Sequence, residues 1–132
     1  MEMPSVPRPA DPGASALLTD LYQQTMLAAY RARGMQAPAV FEFFVRKLPD
    51  DRNFLVAAGL EQVLEYLETL RFTADEIDWL ARSGRFPDEF LRWLAQFRFE
   101  GDVHALPEGT LVFPDEPLIR VTGAALSADT VQ

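Results

Sequence analysis

Two short segments in the first half of the chain carry residue types that can bind an aromatic acid and a phosphorylated sugar. Residues 17–26 place Tyr22 in the first turn of a predicted helix, near the unpaired N–H groups and partial positive charge of its N-terminus. Residues 40–49 form an apolar run that ends in two adjacent cations, Arg46 and Lys47. A flat ring and two cations suit a planar carboxylate and a phosphate, although the spacing alone names no reaction.

The helix that carries the tyrosine has recognisable start signals. Thr19 is the predicted N-cap, which puts Tyr22 at about the third helical position, and Asp20 is placed to interact with the helix dipole. Tyr22, Met26 and Tyr30 recur at helical spacing. Periodicity by itself therefore favours the alternative that Tyr22 belongs to a buried core stripe.

The cations follow a predicted strand over Val40–Arg46, which we expect to be buried mostly on both faces. Neighbouring residues in a strand face opposite ways, so Arg46 and Lys47 can meet one phosphate only if the backbone turns there. Leu48-Pro49 favours such a turn. The alternative is a solvated strand end, which is the usual environment of exposed cations.

The remaining pattern predicts an α+β domain in which helices and strands are partly segregated. Prolines spaced by small residues predict a disordered arm over residues 1–14, followed by one domain over residues 15–132. Further predicted strands cover residues 53–57, 103–106, 110–113 and 118–121, and further helices begin at Gly59, at the capping box of Thr73 and Glu76, and near Pro87, which we place in a first turn.

Composition excludes several functions. The 132 residues fit one domain at most, and the formal net charge of −8 argues against nucleic-acid binding. The chain has no cysteine, no apolar run that could span a membrane and no secretory signal, so the cytoplasm is the expected location. The hydrophobic fraction of 48% is high for a free-standing domain of this size, and part of it is expected to pack against another domain or subunit.

Other polar residues carry less chemistry. His104, the only histidine, lies in a strand-like segment without a nearby carboxylate or second histidine. The Arg52-Asn53 pair fits solvation or a strand end. Four acidic pairs fall in turns or helix starts, where acids are common, so we predict no metal site: Asp50-Asp51, Asp75-Glu76, Asp88-Glu89 and Asp115-Glu116.

The quoted segments belong to a longer resemblance that runs from about Ala16 to Val121. Taken in order along the chain, these segments resemble the N-terminal region of nicotinate phosphoribosyltransferases. It implies the N-terminal α+β domain of a type II phosphoribosyltransferase, with helices and a small antiparallel, sandwich-like sheet, while the catalytic α/β barrel would lie downstream. The blocks that carry the resemblance are residues 17–26, 40–49, 51–61, 70–73, 97–103 and 107–114.

The resemblance also implies roles for individual residues. Tyr22 would reach across a homodimer interface and cover the nicotinate ring in the neighbour's site. Arg46, and more weakly Lys47, would contact the phosphate or pyrophosphate of phosphoribosyl pyrophosphate. Thr19 and Asp20 would help to aim Tyr22. No catalytic residue is expected in this chain, and the family's phosphorylated histidine lies in the barrel, so His104 does not inherit its role.

The implied reaction joins nicotinate to phosphoribosyl pyrophosphate, giving nicotinate mononucleotide and pyrophosphate for NAD salvage. ATP hydrolysis and Mg²⁺ are expected for the full enzyme, whereas this fragment alone is expected to bind neither and to be inactive. Two alternatives stay open. The chain can be a non-catalytic dimerisation or regulatory fragment, or part of a relative that uses nicotinamide or quinolinate.

Overall fold

Four helices and five short strands make up the described part of the chain, which confirms the α+β prediction. The computed structural model describes residues 15–17 and 19–124, and the predictions for residues 1–14 and 125–132 lie outside that part. The elements in chain order are α1 (Leu21–Ala32), β1 (Pro38–Phe43), β2 (Leu55–Val56), α2 (Leu60–Thr69), α3 (Ala74–Arg82), α4 (Asp88–Ala95), β3 (Gly101–Ala105), β4 (Leu111–Val112) and β5 (Ile119–Ala124).

One hydrophobic core joins α1, α3 and α4. Each of these helices repeats apolar residues every three or four positions, so each buries one side. Leu27 of α1, Leu80 of α3 and Leu94 of α4 are at most 1% exposed and belong to the same cluster. Trp93 and Phe97 extend it with an edge-to-face ring contact at 5.4 Å between centroids. Among the described helices, none is both long and apolar enough to cross a membrane.

The strands form two small antiparallel sheets. The first has the order β1-β5-β3, so that Val121 in its centre lies opposite both Phe41 and Val103. The second pairs β2 with β4, with Leu55 opposite Val112. All of the described strand pairings are antiparallel, as predicted.

The strand predictions were right in number but wrong in extent and burial. β1 begins and ends earlier than Val40–Arg46, and both Val40 and Phe43 are more than half exposed. β1 is an edge strand that pairs only with β5 among the described residues, and the face that carries Val40 and Glu42 is exposed there. β2 has only two of the five predicted residues. An apolar run therefore indicated a strand here but not its burial.

The predictions of the helix starts are confirmed in part. The predicted capping box of Thr73 and Glu76 is present, and a helix follows Pro87, with Phe90, Leu91 and Leu94 of α4 buried. Pro87, predicted within a first turn, is instead the N-cap of α4 in extended conformation. The fixed φ of proline fits either position, which is why sequence alone misplaced it by one residue.

The start of α2 is held by a distant carboxylate. Its N-cap, Gly59, has a φ of 98°, in the left-handed region, and has no side chain with which to cap the helix. Glu108, from the turn before β4, accepts hydrogen bonds from the N–H groups of Gly59 at 2.8 Å and Leu60 at 2.9 Å through Oε1. One carboxylate therefore satisfies two helix-start donors and ties the helical half to the second sheet.

We expect Glu108→Ala to lower the free energy of unfolding by about 1 kcal/mol, the usual effect of losing a helix cap. Urea unfolding followed by circular dichroism measures it. Glu65→Ala, at an exposed position within α2, is the matched control and should change stability by less than about 0.5 kcal/mol. Equal losses in the two variants would show that the long-range cap does not stabilise the fold.

Candidate functional site

Tyr22 lies at the second position of α1, one residue closer to the helix start than predicted. The N-cap is Asp20, in extended conformation, and not Thr19, and the Asp20 side chain makes no capping hydrogen bond. The Thr19 N–H instead donates to the carbonyl of Leu17 at 2.7 Å, which forms a tight turn just before the helix. Either residue can cap a helix, so the pattern could not decide between adjacent candidates.

The Tyr22 ring stands on the exposed side of α1. Its exposed fraction is 54% and that of Met26, one turn later, is 37%, whereas Gln24 and Leu27 are 5% and 1% exposed. The alternative that Tyr22 and Met26 belong to the core stripe is therefore wrong; only Tyr30 of that set packs against the core. An exposed ring at a helix N-terminus is free to stack on a planar ligand, and the helix dipole favours a carboxylate there.

Arg46 and Lys47 lie in the bend that follows β1. The preceding carbonyl of Val45 accepts a hydrogen bond from the Asp115 N–H at 2.8 Å, and the following Leu48 is only 9% exposed. The segment is therefore held at both ends while its two cations are exposed. The backbone bends at Arg46, so the chain departs there from the regular alternation of a strand.

The two cations are not neutralised within the described part of the chain. Lys47 Nζ is 3.8 Å from Asp50 Oδ1, but these side chains are 84% and 98% exposed, so the pair is weak. No salt bridge of Arg46 occurs among residues 15–17 and 19–124. Both positive charges are thus available to an anionic ligand.

The two predicted groups stand on different elements. Thr19, Asp20 and Tyr22 lie at the start of α1, which packs against α4, whereas Arg46 and Lys47 follow a strand that pairs with β5. Within the described residues, no hydrogen bond, ion pair or ring contact joins one group to the other. The fold keeps both groups accessible without assembling them into one pocket.

Sequence reasoning missed a groove between the starts of α1 and α3. It has a volume of about 430 Å³ and is lined by Leu17, Thr19, Leu21, Gln24, Asp75, Glu76, Trp79 and Leu80. Gln24 gave a signal that could have been used, because it is a polar residue at a core position of an amphipathic helix. The groove does not include Tyr22, Arg46 or Lys47.

Glu76 links this groove to the N-terminal turn. One carboxylate oxygen accepts from the Thr73 N–H at 2.7 Å, and the other accepts from the Ser15 hydroxyl. Burial on its own would raise the pKa of Glu76, but the hydrogen bonds from Ser15, Thr73 and the Ala16 backbone outweigh it, so the pKa lies below its ordinary value of 4.5. The carboxylate is therefore charged at neutral pH.

We expect this lowered pKa to make stability depend on pH. Because the folded pKa is below the unfolded one, the stabilisation is complete above about pH 4.5 and is lost as the pH falls through the folded value. Glu76→Gln should flatten the decrease in the free energy of unfolding below pH 4.5, measured by urea unfolding at several pH values. Glu65→Gln, at an exposed position, should keep the full slope; an unchanged slope in Glu76→Gln would contradict the assignment.

The other polar residues lie in the strand, turns and helix starts that the sequence predicted for them. His104 is exposed in β3, opposite Arg120, whose guanidinium pairs with Glu42 at 2.6 Å. The acidic pairs lie in turns and first helical turns. In the stretches 15–17 and 19–124, no three His, Cys, Asp or Glu residues are grouped so that they could hold a metal ion.

Two solved structures share this fold, and each is named for nicotinate, nicotinic acid or nicotinate nucleotide. The crystal structure of human nicotinic acid phosphoribosyltransferase superposes with a TM-score of 0.76 at 36% identity, over 87% of this chain and 24% of that chain. A nicotinate-nucleotide pyrophosphorylase from Pyrococcus furiosus shares the fold, with a TM-score of 0.62 at 17% identity, over 100% of this chain and 26% of that one.

Sequence comparison identifies relatives that are also named nicotinate phosphoribosyltransferase. Nicotinate phosphoribosyltransferase pncB2 of Mycobacterium tuberculosis is 50% identical over 117 residues, which are 89% of this chain and 25% of the relative. The nicotinate phosphoribosyltransferase of Bacillus subtilis is 36% identical over 118 residues, 89% of this chain and 24% of the relative. The chain therefore spans about a quarter of the length of the curated relatives that it matches.

The family comparison covers nearly all of the chain. Residues 17–131 match the family described as the nicotinate phosphoribosyltransferase (NAPRTase) N-terminal domain. This match confirms the resemblance that the sequence blocks indicated, and it agrees with the two small open sheets of the described residues. The chain belongs to the nicotinate phosphoribosyltransferase family, in which it corresponds to the N-terminal domain.

Proposed function

We propose that this chain is the N-terminal portion of an enzyme that joins nicotinate to phosphoribosyl pyrophosphate, giving nicotinate mononucleotide and pyrophosphate in NAD salvage. The observation that carries the proposal is an exposed aromatic ring at a helix start together with two exposed cations on a held bend, in a domain of this family. ATP hydrolysis is coupled to the reaction in the complete enzyme, which acts in the cytoplasm.

Tyr22 orients the base in this proposal. The reaction needs the ring nitrogen of nicotinate in line with the anomeric carbon, and a stacked aromatic side chain restricts a planar base to one plane. The N-terminus of α1 adds a favourable potential for the carboxylate of nicotinate. Thr19 and Asp20 form the turn that sets where the helix starts, so they position Tyr22 and do not touch the substrate.

Arg46 and Lys47 stabilise the anion that leaves. As pyrophosphate departs, the anomeric carbon gains positive charge and negative charge collects on the phosphate oxygens. The guanidinium of Arg46 offers two parallel N–H donors to those oxygens, and Lys47 adds a point charge. Both residues sit on a segment that is held by the Asp115 N–H, in the turn after β4, and by the buried Leu48, so its backbone needs little reordering on binding.

Mg²⁺ accompanies a pyrophosphate substrate, but the described residues do not fit a protein-held magnesium site, because no group of three suitable ligands occurs among them. The phosphate oxygens of the substrate and residues elsewhere in the full enzyme would hold the ion. We assign no step of the mechanism in this chain to it. Tyr22, Arg46 and Lys47 act through stacking and charge alone.

The proposal includes a homodimer in which these residues act in trans. Tyr22 and Met26 form an exposed stripe on α1, and no described contact connects that stripe to the cations. A ring that is more than half exposed needs a partner surface in order to enclose a base. Because the rest of the site lies outside the described residues, the 132-residue chain alone should form no nicotinate mononucleotide.

A non-catalytic dimerisation or regulatory fragment remains the second candidate, and one observation favours it. The outer face of the β2–β4 pair, formed by Phe54, Val56, Leu111 and Phe113, is 49–54% exposed. Half of each phenylalanine, at roughly 150–250 Å² per buried ring, plus half of the valine and leucine gives an apolar patch on the order of 400 Å². That is about half of the ~800 Å² per partner of a stable interface, so this face alone does not make a complex.

A grafted enzyme tests the proposal. The matching quarter of the Mycobacterium tuberculosis relative is replaced by this chain, and nicotinate mononucleotide formation is measured from nicotinate and phosphoribosyl pyrophosphate. We expect the graft to turn over nicotinate. A folded graft that forms no nicotinate mononucleotide would favour the non-catalytic fragment.

A further inference from the structure

The groove between the starts of α1 and α3 has the dimensions and composition of a ligand site. Its volume of about 430 Å³ lies within the range of small-molecule pockets. Leu17, Leu21 and Leu80 supply apolar walls, and Gln24 and Glu76 add polar groups that converge on the same space. Apolar walls with a few fixed polar groups are the usual composition of a binding pocket.

The acidic side chains in the groove favour a positively charged ligand. Among the described residues that line the groove, the charged ones are Asp75 and Glu76, and both are acidic. Glu76 is held as a carboxylate by hydrogen bonds from Thr73 and Ser15. No lysine or arginine of residues 15–17 and 19–124 lines the groove, so its lining repels an anion such as nicotinate or a phosphate and attracts a cation.

The aromatic side chain in the groove, Trp79, favours a flat ligand. Trp79 lines the groove and is 55% exposed, which is unusual for the largest apolar side chain on a short helix. A flat ligand group can stack on the indole, and a cationic one gains additional attraction from the face of the ring. No described ring or cation already occupies that face.

Gln24 supplies an unsatisfied acceptor. It is 5% exposed, and its Oε1 has no hydrogen-bond partner among residues 15–17 and 19–124. A buried carbonyl oxygen without a partner is rare in folded proteins. The terminal torsion of glutamine is broad and soft, so the amide can turn its oxygen toward a donor that enters the groove.

We propose that this groove binds a group that joins a flat apolar body to a cationic N–H donor, of the amidinium or guanidinium class. The body stacks on Trp79, the charge faces Asp75 and Glu76, and an N–H donates to Gln24 Oε1. The site is separate from Tyr22, Arg46 and Lys47, whose positive and aromatic groups suit anions. It does not depend on the reaction proposed above.

This chemistry has two sources, a free small molecule or an arginine side chain of a polypeptide. Benzamidine represents the first source, and N-acetyl-arginine amide represents the second. Benzoate has the ring of benzamidine with the opposite charge and is the matched control ligand. Each is titrated into the 132-residue chain by NMR, following the indole N–H of Trp79 and the side-chain amide of Gln24.

We expect benzamidine to shift both resonances and to bind at least tenfold more tightly than benzoate. Gln24→Leu should weaken benzamidine binding about tenfold while its unfolding midpoint stays equal or rises, because it removes the unpaired buried amide. Asp75→Asn, at an exposed position, should weaken benzamidine binding about threefold. If N-acetyl-arginine amide binds more tightly than benzamidine, the natural ligand is a polypeptide arginine; the reverse order indicates a small molecule.

Two results would overturn the inference. One is equal binding of benzamidine and benzoate, or binding of neither. The other is benzamidine binding that both Gln24→Leu and Asp75→Asn leave unchanged. Phe54→Ala, which removes an exposed ring elsewhere, is the matched control for non-specific stacking and should leave the titration unaltered.

Discussion

In the grafted enzyme, Arg46→Ala is expected to lower kcat/KM for phosphoribosyl pyrophosphate about 100-fold. The substitution removes a two-donor contact to oxygens that gain negative charge in the transition state, and the loss of one such donor group typically costs 10²–10³-fold. Steady-state kinetics with varied phosphoribosyl pyrophosphate measures the effect. The KM for nicotinate should change little, because the base lies at Tyr22.

Arg46→Lys and Arg52→Ala make this prediction specific. Lysine keeps the charge but loses the planar fork, so about a tenfold loss is expected. Arg52 is also exposed, a few residues further along the same loop, and Arg52→Ala should leave kcat/KM within about twofold. If Arg46→Ala and Arg52→Ala have equal effects, Arg46 contributes only to the general charge of the surface.

Leu94→Ala is expected to lower the free energy of unfolding by about 2–5 kcal/mol. Leu94 is 0% exposed and lies in the core cluster that joins α1, α3 and α4, so its truncation leaves a cavity among three helices. A domain of this size has a total stability of about 5–15 kcal/mol, so the loss is a large fraction of the total and should clearly lower the urea midpoint. Urea unfolding followed by tryptophan fluorescence measures the loss.

Leu64→Ala is the matched control for that prediction. It makes the same change within a helix, but Leu64 is 38% exposed and is not part of the core cluster. We expect a loss below about 1 kcal/mol. Similar losses for Leu64→Ala and Leu94→Ala would mean that the buried cluster is not the main source of stability.

Local signals in the sequence were sufficient for features that depend on neighbouring residues. The capping box at Thr73 involves residues three positions apart, and the structure contains it as predicted. The start of α2 shows the limit. Gly59 indicated a helix start, but its capping group is Glu108, 49 positions away in sequence, and no local pattern could reveal that pairing.

The candidate site also combines residues that the sequence could indicate with a feature that depends on tertiary structure. Residue types and order along the chain singled out Tyr22, Arg46 and Lys47, and these side chains are exposed as a binding role requires. Periodicity alone assigned Tyr22 to the core, because a helical stripe does not say which of its sides faces another element. The family resemblance corrected that assignment. The groove at Trp79 depends on how α1 and α3 approach each other, which is a tertiary property and left almost no trace in the sequence.

Trans-complementation tests the central claim most directly. The 132-residue chain is mixed with a full-length nicotinate phosphoribosyltransferase whose residues matching Tyr22 and Arg46 are replaced by alanine, and nicotinate mononucleotide formation is measured. We predict that the wild-type chain restores activity and that Tyr22→Ala does not, whereas Met26→Ala, on the same exposed stripe, still does. Association without activity for the wild-type chain, shown by co-elution, would contradict the claim that this domain supplies part of the active site in trans.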